Sequence, residues 1–146
     1  MTDSFFVVPG EPKGKGRPRV VRRGAYTMTY TPQDTRDYET EVRWCWRDAG
    51  LKRYPDDAHL YIRITAYFKI PKSVSKKKRE MMLNDETRPT KKPDLDNIAK
   101  IICDALNGEA YKDDAAIVDL RIKKYYSENP RVEVFLTDTD ELPFEP

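Results

Sequence analysis

The fold class is decided by the stretch Leu60-Tyr61-Ile62-Arg63-Ile64-Thr65-Ala66-Tyr67-Phe68-Lys69-Ile70. Its even-numbered positions are all apolar, whereas the odd-numbered positions carry tyrosine, threonine or a basic residue. Because successive side chains of a strand point to opposite faces, this pattern predicts a long β-strand with one buried face and one half-exposed face. Such a strand needs partner strands beside it and a covering layer on its buried face.

Four shorter segments on either side are also typical of strands: residues 4–8, 25–30, 116–124 and 131–136. The last two are predicted to be joined by a turn at residues 128–130. Residues 9–19 are punctuated by glycine and proline, which predicts a loop after the first strand.

The sequence also predicts about three helices. Thr31 suits an N-cap and Pro32 a first helical position, which opens a helix that runs to about Asp48 and stops at Gly50. Residues 73–83 are typical of a short basic helix.

A third helix is predicted to begin near Asp94 or Leu95 and to end at Gly108, after a polar loop at residues 84–93. Its buried face would carry Ile98, Ile101, Ile102 and Leu106. Together these elements predict an α+β fold, with a mixed β-sheet packed with about three helices. We expect a single small domain over residues 1–146, with a frayed tail after about residue 138.

Composition narrows the possible chemistry and location. Cys45 and Cys103 lie far apart in apolar helical patterns, which indicates buried, reduced thiols. A single histidine, His59, leaves carboxylates and lysines as the main reactive groups. No apolar stretch approaches the roughly 18–20 residues that span a bilayer, and the N-terminus has no basic leader. We therefore expect a cytoplasmic protein with no membrane partner.

Basic residues are grouped although the net charge is only +2. One group lies near the start, a second at residues 76–79, and a third at residues 88–92 just before an acidic segment. Basic groups around a carboxylate site favour a polyanionic substrate met by a metal ion. Any one group alone is typical of ordinary solvated surface.

The segment that carries the chemistry is Lys92-Pro93-Asp94-Leu95-Asp96-Asn97-Ile98-Ala99-Lys100. Asp94 and Asp96 stand two residues apart where the chain enters a helix, so two carboxylates can approach one hard cation. Mg²⁺ prefers oxygen ligands, usually one or two protein carboxylates with water and substrate phosphate. Lys100 lies one helical turn after Asp96 and is suited to neutralising phosphate charge.

Two further positions extend this candidate site. Asp104 continues the face of Lys100 and could support it. Asp113 and Asp114 follow the Asn107-Gly108 turn, where a returning carboxylate would complete a metal site. The chemistry implied is phosphodiester hydrolysis by metal-activated water.

Structural explanations exist for the same aspartates. An aspartate at a helix N-terminus caps backbone N–H groups, which would explain Asp94 or Asp96. Asp96 with Lys100 would also suit a surface ion pair of little energetic value. Asp113 and Asp114 would suit a turn. Spacing alone does not decide between these roles and catalysis.

The combined pattern resembles the RusA family of Holliday junction resolvases. It consists of Pro93-Asp94-Leu95-Asp96-Asn97 with Lys100, then Asp104-Ala105-Leu106-Asn107, then Asp113-Asp114 with Ile117. The resemblance covers residues 93–126 and more weakly 9–32, including Lys13-Gly14-Lys15-Gly16-Arg17-Pro18-Arg19 and Tyr30-Thr31-Pro32.

The resemblance implies an endodeoxyribonuclease that uses Mg²⁺, or Mn²⁺ in its place, to resolve four-way or branched DNA in recombination and repair, in a host or a prophage. It places the metal ligands at Asp94, Asp96 and Asp114 and a catalytic lysine at Lys100, with Asp113 as the alternative to Asp114. Paired symmetric nicks would require a homodimer. Charge makes six residues candidate DNA contacts: Lys13, Lys15, Arg17, Arg19, Lys91 and Lys92.

Three other functions compete with this interpretation. A non-catalytic branched-DNA-binding protein would explain the basic groups but not carboxylates beside phosphate. A metal-dependent nuclease for flaps, forks or RNA is barely separable by sequence. A glycosidase would need two opposed carboxylates in an aromatic cleft. The clustering of Asp94 and Asp96 at the start of one helix does not favour that arrangement.

Overall fold

The computed structural model describes residues 2–139. The strands are β1 (Asp3–Pro9), β2 (Arg19–Arg23), β3 (Tyr26–Tyr30), β4 (Leu60–Lys69), β5 (Ile117–Ser127) and β6 (Arg131–Thr137). The helices are α1 (Gln33–Asp48), α2 (Lys76–Leu83) and α3 (Leu95–Leu106), with a 3₁₀ turn at Asp114–Ala116 before β5. The predicted α+β class, with a mixed sheet and three helices, is confirmed.

The main sheet has four strands in the order β1-β6-β4-β5. β6 is antiparallel to both β1 and β4, whereas β5 runs parallel to β4. The predicted turn after β5 is present, but β5 and β6 do not pair with each other, because β4 lies between them. The connection from β4 to β5 carries α2 and α3, as a parallel pair requires.

One face of the sheet is buried by helices. The even-numbered residues of β4 are fully buried, as the alternating pattern predicted. α1 packs against α3 and β1, and α3 also reaches β5. The buried residues of α3 include the four predicted ones: Ile98, Ile101, Ile102 and Leu106.

The opposite face of the sheet is half-exposed and carries aromatic rings beside basic side chains. Tyr67 and Tyr125 stack with ring centroids 5.9 Å apart. The Arg131 guanidinium lies 3.9 Å from the centre of the Tyr67 ring, and that of Arg88 lies 4.1 Å from the Tyr125 ring. Arg131 also pairs with Glu133 at 2.9 Å, and Arg88 donates a hydrogen bond to the Lys124 carbonyl at 2.8 Å. The cation–π contacts therefore add to the polar partners that both arginines already have.

A second, two-stranded sheet is formed by β2 and β3 alone. The sequence predicted β3 but not β2, because the basic residues of β2 lack a clear alternation. Gly24 makes the turn between them with a φ of +58°, which a glycine adopts without steric cost.

The element ends differ slightly from the sequence predictions. Pro32 is the N-cap of α1, so Thr31 lies outside the helix. α2 begins at Lys76, because the Ser75 hydroxyl caps the N–H of Lys78. The predicted frayed tail lies, from residue 140 onwards, outside the described residues. Within residues 2–139, no helix is long and apolar enough to cross a membrane.

Candidate active site

Helix α3 holds the acidic segment in place by burying its apolar side. The helix buries seven of its twelve residues, which fixes its rotation relative to the sheet. Asp96 and Lys100 therefore stay on the exposed side, one turn apart. Asp94 is the N-cap residue and has an extended backbone conformation.

The structural explanations account poorly for the first two aspartates. The Asp94 side chain makes no capping hydrogen bond, although the residue occupies the capping position. Lys100 pairs with Asp104 at 3.3 Å rather than with Asp96. Among residues 2–139, no hydrogen bond or ion pair engages the Asp96 carboxylate. Both carboxylates are thus exposed and free to bind a cation.

Four side chains of alternating charge are linked by ion pairs next to these aspartates: Glu39, Lys15, Asp104 and Lys100. The Lys15 amine lies 2.8 Å from Glu39 and 3.2 Å from Asp104. Asp104 in turn holds Lys100, so it is shared by two lysines. Burial alone would lower the pKa of Lys15, but hydrogen bonds to Glu39 and Asp104 and their charges outweigh it and raise the pKa. Lys15 is therefore a cationic link between α1 and α3.

The later aspartates stand at the start of the 3₁₀ turn, Asp113 as its N-cap and Asp114 as its first residue. Asp113 accepts a hydrogen bond from the N–H of Ala115 at 3.1 Å, so it serves as a capping residue there. The N–H of Asp114 donates to the Asn107 side-chain oxygen at 2.9 Å. Asn107, at the end of α3, thereby fixes the backbone that carries Asp114.

Asp114 lies in an unfavourable environment for a negative charge. Partial burial, together with the charges of Asp113 and Asp104, raises its pKa above the usual aspartate value, and Lys100 only partly offsets the increase. A bound cation would relieve this repulsion by favouring the ionised carboxylate.

Two neighbouring clefts flank the start of α3. One, of about 330 Å³, is lined by Asp96, Lys100 and Asp114 over an apolar floor that includes Cys103 and Leu120. The pKa of Cys103 is raised to about 12, chiefly by burial, so its thiol is neutral at physiological pH in the metal-free protein.

The other cleft, of about 400 Å³, lies on the side of α3 that faces α1. It is lined by Asp94 and Asn97 together with three lysines, Lys13, Lys15 and Lys92. The residues that line this cleft thus combine one of the predicted metal ligands with three of the predicted DNA contacts.

The three predicted metal ligands do not share one cleft. Asp96 and Asp114 face the same cleft, whereas Asp94 lines the other. Within residues 2–139, no three acidic, histidine or cysteine side chains stand close enough to hold a metal ion by themselves. Two carboxylates beside a lysine still fit Mg²⁺, which completes its coordination with water and substrate phosphate. Asp113 lines a third cavity, near His59.

The predicted basic contacts fall into different environments. Lys13 and Lys92 line the Asp94 cleft, whereas Lys15 has its amine occupied by ion pairs. The Lys91 amine lies 5.9 Å from the centre of the Phe68 ring, near the C-terminal end of β4. The remaining two, Arg17 and Arg19, are exposed on the way into β2.

Several positioning residues escaped the sequence analysis. Asn107 and Glu39 act on other residues of the site. Asn107 stood in the family motif without an assigned role, and Glu39 had no sequence signal beyond being a polar residue within a helix. Gly14 is a third: a Cβ there would lie 2.9 Å from Cβ of Pro93 and 3.0 Å from Cβ of Asn97. These contacts join segments far apart in sequence, so local patterns do not reveal them.

The fold is a small α+β domain whose candidate site lies along one carboxylate-bearing helix, and comparison with known proteins specifies the family. Residues 9–137 match the family described as endodeoxyribonuclease RusA. The chain is also 38% identical over 138 residues to YqaN of Bacillus subtilis (strain 168), named as an uncharacterized protein, covering 91% of this chain and 94% of that one. The chain therefore belongs to the RusA endodeoxyribonuclease family.

Proposed function

We propose that this protein is a magnesium-dependent endodeoxyribonuclease that resolves Holliday junctions by paired symmetric nicks. The observation that carries the proposal is the placement of Asp96, Lys100 and Asp114 around one cleft in a chain of the RusA family. Its role would be in DNA recombination and repair. The chain would act as a single domain.

The proposed metal ligands are Asp96 and Asp114, with Asp94 joining from the adjacent cleft. Their oxygen chemistry suits Mg²⁺, and Mn²⁺ should substitute because it accepts the same oxygen ligands. The metal, when bound, supplies activation of water and neutralisation of phosphate charge. The raised pKa of Asp114 supports a role for this residue in binding a cation.

The remaining side chains bind and orient the DNA backbone. Lys100 lines the cleft and pairs with Asp104, and there it would neutralise charge on the scissile phosphate. Lys13 and Lys92 line the Asp94 cleft and would hold a neighbouring phosphate. Asn107 acts as a positioning residue through the Asp114 backbone.

The substrate implies a second copy of the chain. One protomer carries one such pair of clefts, whereas a junction is cut at two symmetric positions. A two-fold homodimer would place two sites across a two-fold substrate.

The test is cleavage of a labelled four-way junction and a linear duplex of matching sequence, with and without Mg²⁺. We expect paired nicks in the junction alone, and a loss of at least about a hundredfold in Asp96→Asn and Asp114→Asn while binding persists. Asp113→Asn should still cut, because asparagine keeps the capping oxygen.

Three other outcomes would correct the proposal, one each for junction specificity, for catalysis and for the identity of the metal ligand. Cutting of both substrates would leave a nuclease without junction specificity. Binding without any cutting would indicate a branched-DNA-binding protein. Loss of cutting in Asp113→Asn but not in Asp114→Asn would assign the role of metal ligand to Asp113 in place of Asp114.

A further inference from the structure

The β2–β3 hairpin lacks the packing that holds every other strand. All five residues of β3 are exposed, and in β2 only Val21 is partly covered. Large apolar groups face solvent there, with exposed fractions of 72% for Tyr26, 56% for Met28 and 46% for Tyr30. An exposed ribbon with this many apolar groups indicates a binding surface.

The charge of the hairpin is strongly one-sided. From Pro12 to Gln33 the chain has six basic residues and no acidic one. Within residues 2–139, neither Arg22 nor Arg23 forms an ion pair. Unpaired guanidinium groups suit phosphate, which they bind through two parallel hydrogen bonds. A second copy of this chain that placed its own hairpin against this one would, by contrast, bring the same positive charge and gain no charge complementarity.

The register sorts the hairpin residues onto two faces. Residues directly opposite each other in an antiparallel pair share a face, and the faces alternate along each strand. One face therefore carries the pairs Arg19–Tyr30, Val21–Met28 and Arg23–Tyr26. The other carries Val20–Thr29 and Arg22–Thr27. The first face is an aromatic and apolar strip with an arginine at each end.

The base of the hairpin is fastened next to the candidate active site. The N–H of Lys15 donates to the Asn97 carbonyl in the first turns of α3, and that of Gly16 to the Thr35 hydroxyl, both at 3.1 Å. Pro32, at the other end of the hairpin, lies so near Gly16 that a Cβ there would be 3.2 Å from the proline ring. The entry to the hairpin is thus bonded to α3, and the exit from the hairpin lies beside that entry at the start of α1.

We propose that the β2–β3 hairpin is a DNA-binding arm, an inference that rests on the proposed function. Its arginines hold phosphates of a duplex arm beside the cleavage site, and its tyrosine-bearing face packs against bases exposed at the branch point. Five residues per strand give a ribbon about 15 Å long, and a two-stranded ribbon fits the major groove. Tyrosine rings stack on unpaired bases without regard to their identity.

The first test compares two variants that lose the same charge: Arg22→Gln/Arg23→Gln in the hairpin and Lys69→Gln/Lys72→Gln at the far end of β4. Junction binding is measured by fluorescence anisotropy across a salt series, with Ca²⁺ replacing Mg²⁺ so that binding is observed without cutting. We expect the hairpin variant to bind about tenfold more weakly, with a salt slope smaller by about two. The control variant should change little.

A second variant, Tyr26→Ala/Tyr30→Ala, keeps the charge and removes the rings. It should weaken binding to a junction more than binding to a linear duplex, and reduce quenching of 2-aminopurine at the branch point. Equal affinity of the hairpin and control variants for the junction would overturn the proposal that the hairpin binds DNA. The proposal would also be overturned if the hairpin variant became monomeric in size-exclusion chromatography as it lost affinity for the junction. The hairpin would then be a dimer contact.

These readouts separate the arm from the proposed nuclease. If the wild-type protein cuts junctions while both hairpin variants bind the junction normally, the DNA-binding role of the hairpin is wrong and the proposed nuclease activity is retained. If the wild-type protein cuts nothing but the hairpin variants bind DNA more weakly, the arm stands and the nuclease fails.

Discussion

At the scale of single residues, the site concentrates negative charge that the fold only partly neutralises. Asp104 is balanced by Lys15 and Lys100, at 3.2 and 3.3 Å. Within residues 2–139 Asp114 forms no such ion pair, and partial burial together with the charges of Asp113 and Asp104 disfavours its ionised form. Binding sites often keep such unfavourable groups because function requires them, at a cost in stability.

The raised pKa of Asp114 predicts a pH-dependent stability effect. The folded protein binds this proton more tightly than the unfolded chain, so stability rises as the pH falls through the window between the raised pKa and the ordinary value of 3.8. Above that window the ionised carboxylate costs stability. Asp114→Asn should therefore raise Tm at neutral pH and leave it unchanged below about pH 3.8.

Thermal unfolding of the wild type and the variant across this pH range checks the effect. Asp57→Asn, which removes the same charge from an exposed loop, serves as the control and should leave Tm nearly unchanged. A lower Tm for Asp114→Asn at neutral pH would show that the carboxylate stabilises the fold instead.

At the scale of elements, the loop from Gly10 to Pro18 couples the hairpin to the carboxylate helix. Gly14 approaches α3 more closely than any side chain could, and Lys15 bridges α1 and α3 beneath it. The first turn of α3 is thus supported from its α1 side as well as by its own buried residues. We expect changes in this loop to act on the site without touching its carboxylates.

Gly14→Ala tests this coupling. The new Cβ would lie 2.9 Å from Cβ of Pro93, so the loop must move away from α3, at a cost of about 1–3 kcal/mol in the free energy of unfolding. Junction affinity should fall as well, because the Asp94 cleft and the hairpin base both shift. Urea unfolding and anisotropy measure the two effects.

Gly10→Ala provides the matched control. A Cβ at Gly10 meets nothing within 4 Å, but its φ of +98° is strained for alanine. This variant should lose stability while its junction affinity stays near that of the wild type. If both variants bind the junction equally, the loop does not position the site.

At the scale of the whole molecule, the proposed paired nicks would require two chains acting together. Mixing wild-type protein with Asp114→Asn at equal concentrations should produce dimers with one active site. On a supercoiled plasmid that extrudes a cruciform, such dimers should yield nicked circles, whereas the wild type yields linear product. A mixture giving only the linear product of the remaining wild type would contradict the mixed dimer.

The sequence by itself determined the local elements, since these depend on short-range periodicity. The alternation at residues 60–70 specified β4 and its buried face, and the apolar period of α3 specified which side exposes Asp96 and Lys100. The family motif added the expected roles of the aspartates. Helix ends were predicted to within about three residues, because caps such as Ser75 compete with their neighbours.

Only the tertiary structure decided how these elements meet. β6 pairs with β1 and β4 rather than with β5, because hydrogen-bonding partners in a sheet are chosen by topology and not by a strand's own pattern. The fold engages Lys15 in ion pairs with Glu39 and Asp104, and it places Asp94 and Asp96 beside different clefts. These facts depend on contacts between residues distant in sequence, whose energies no local pattern encodes.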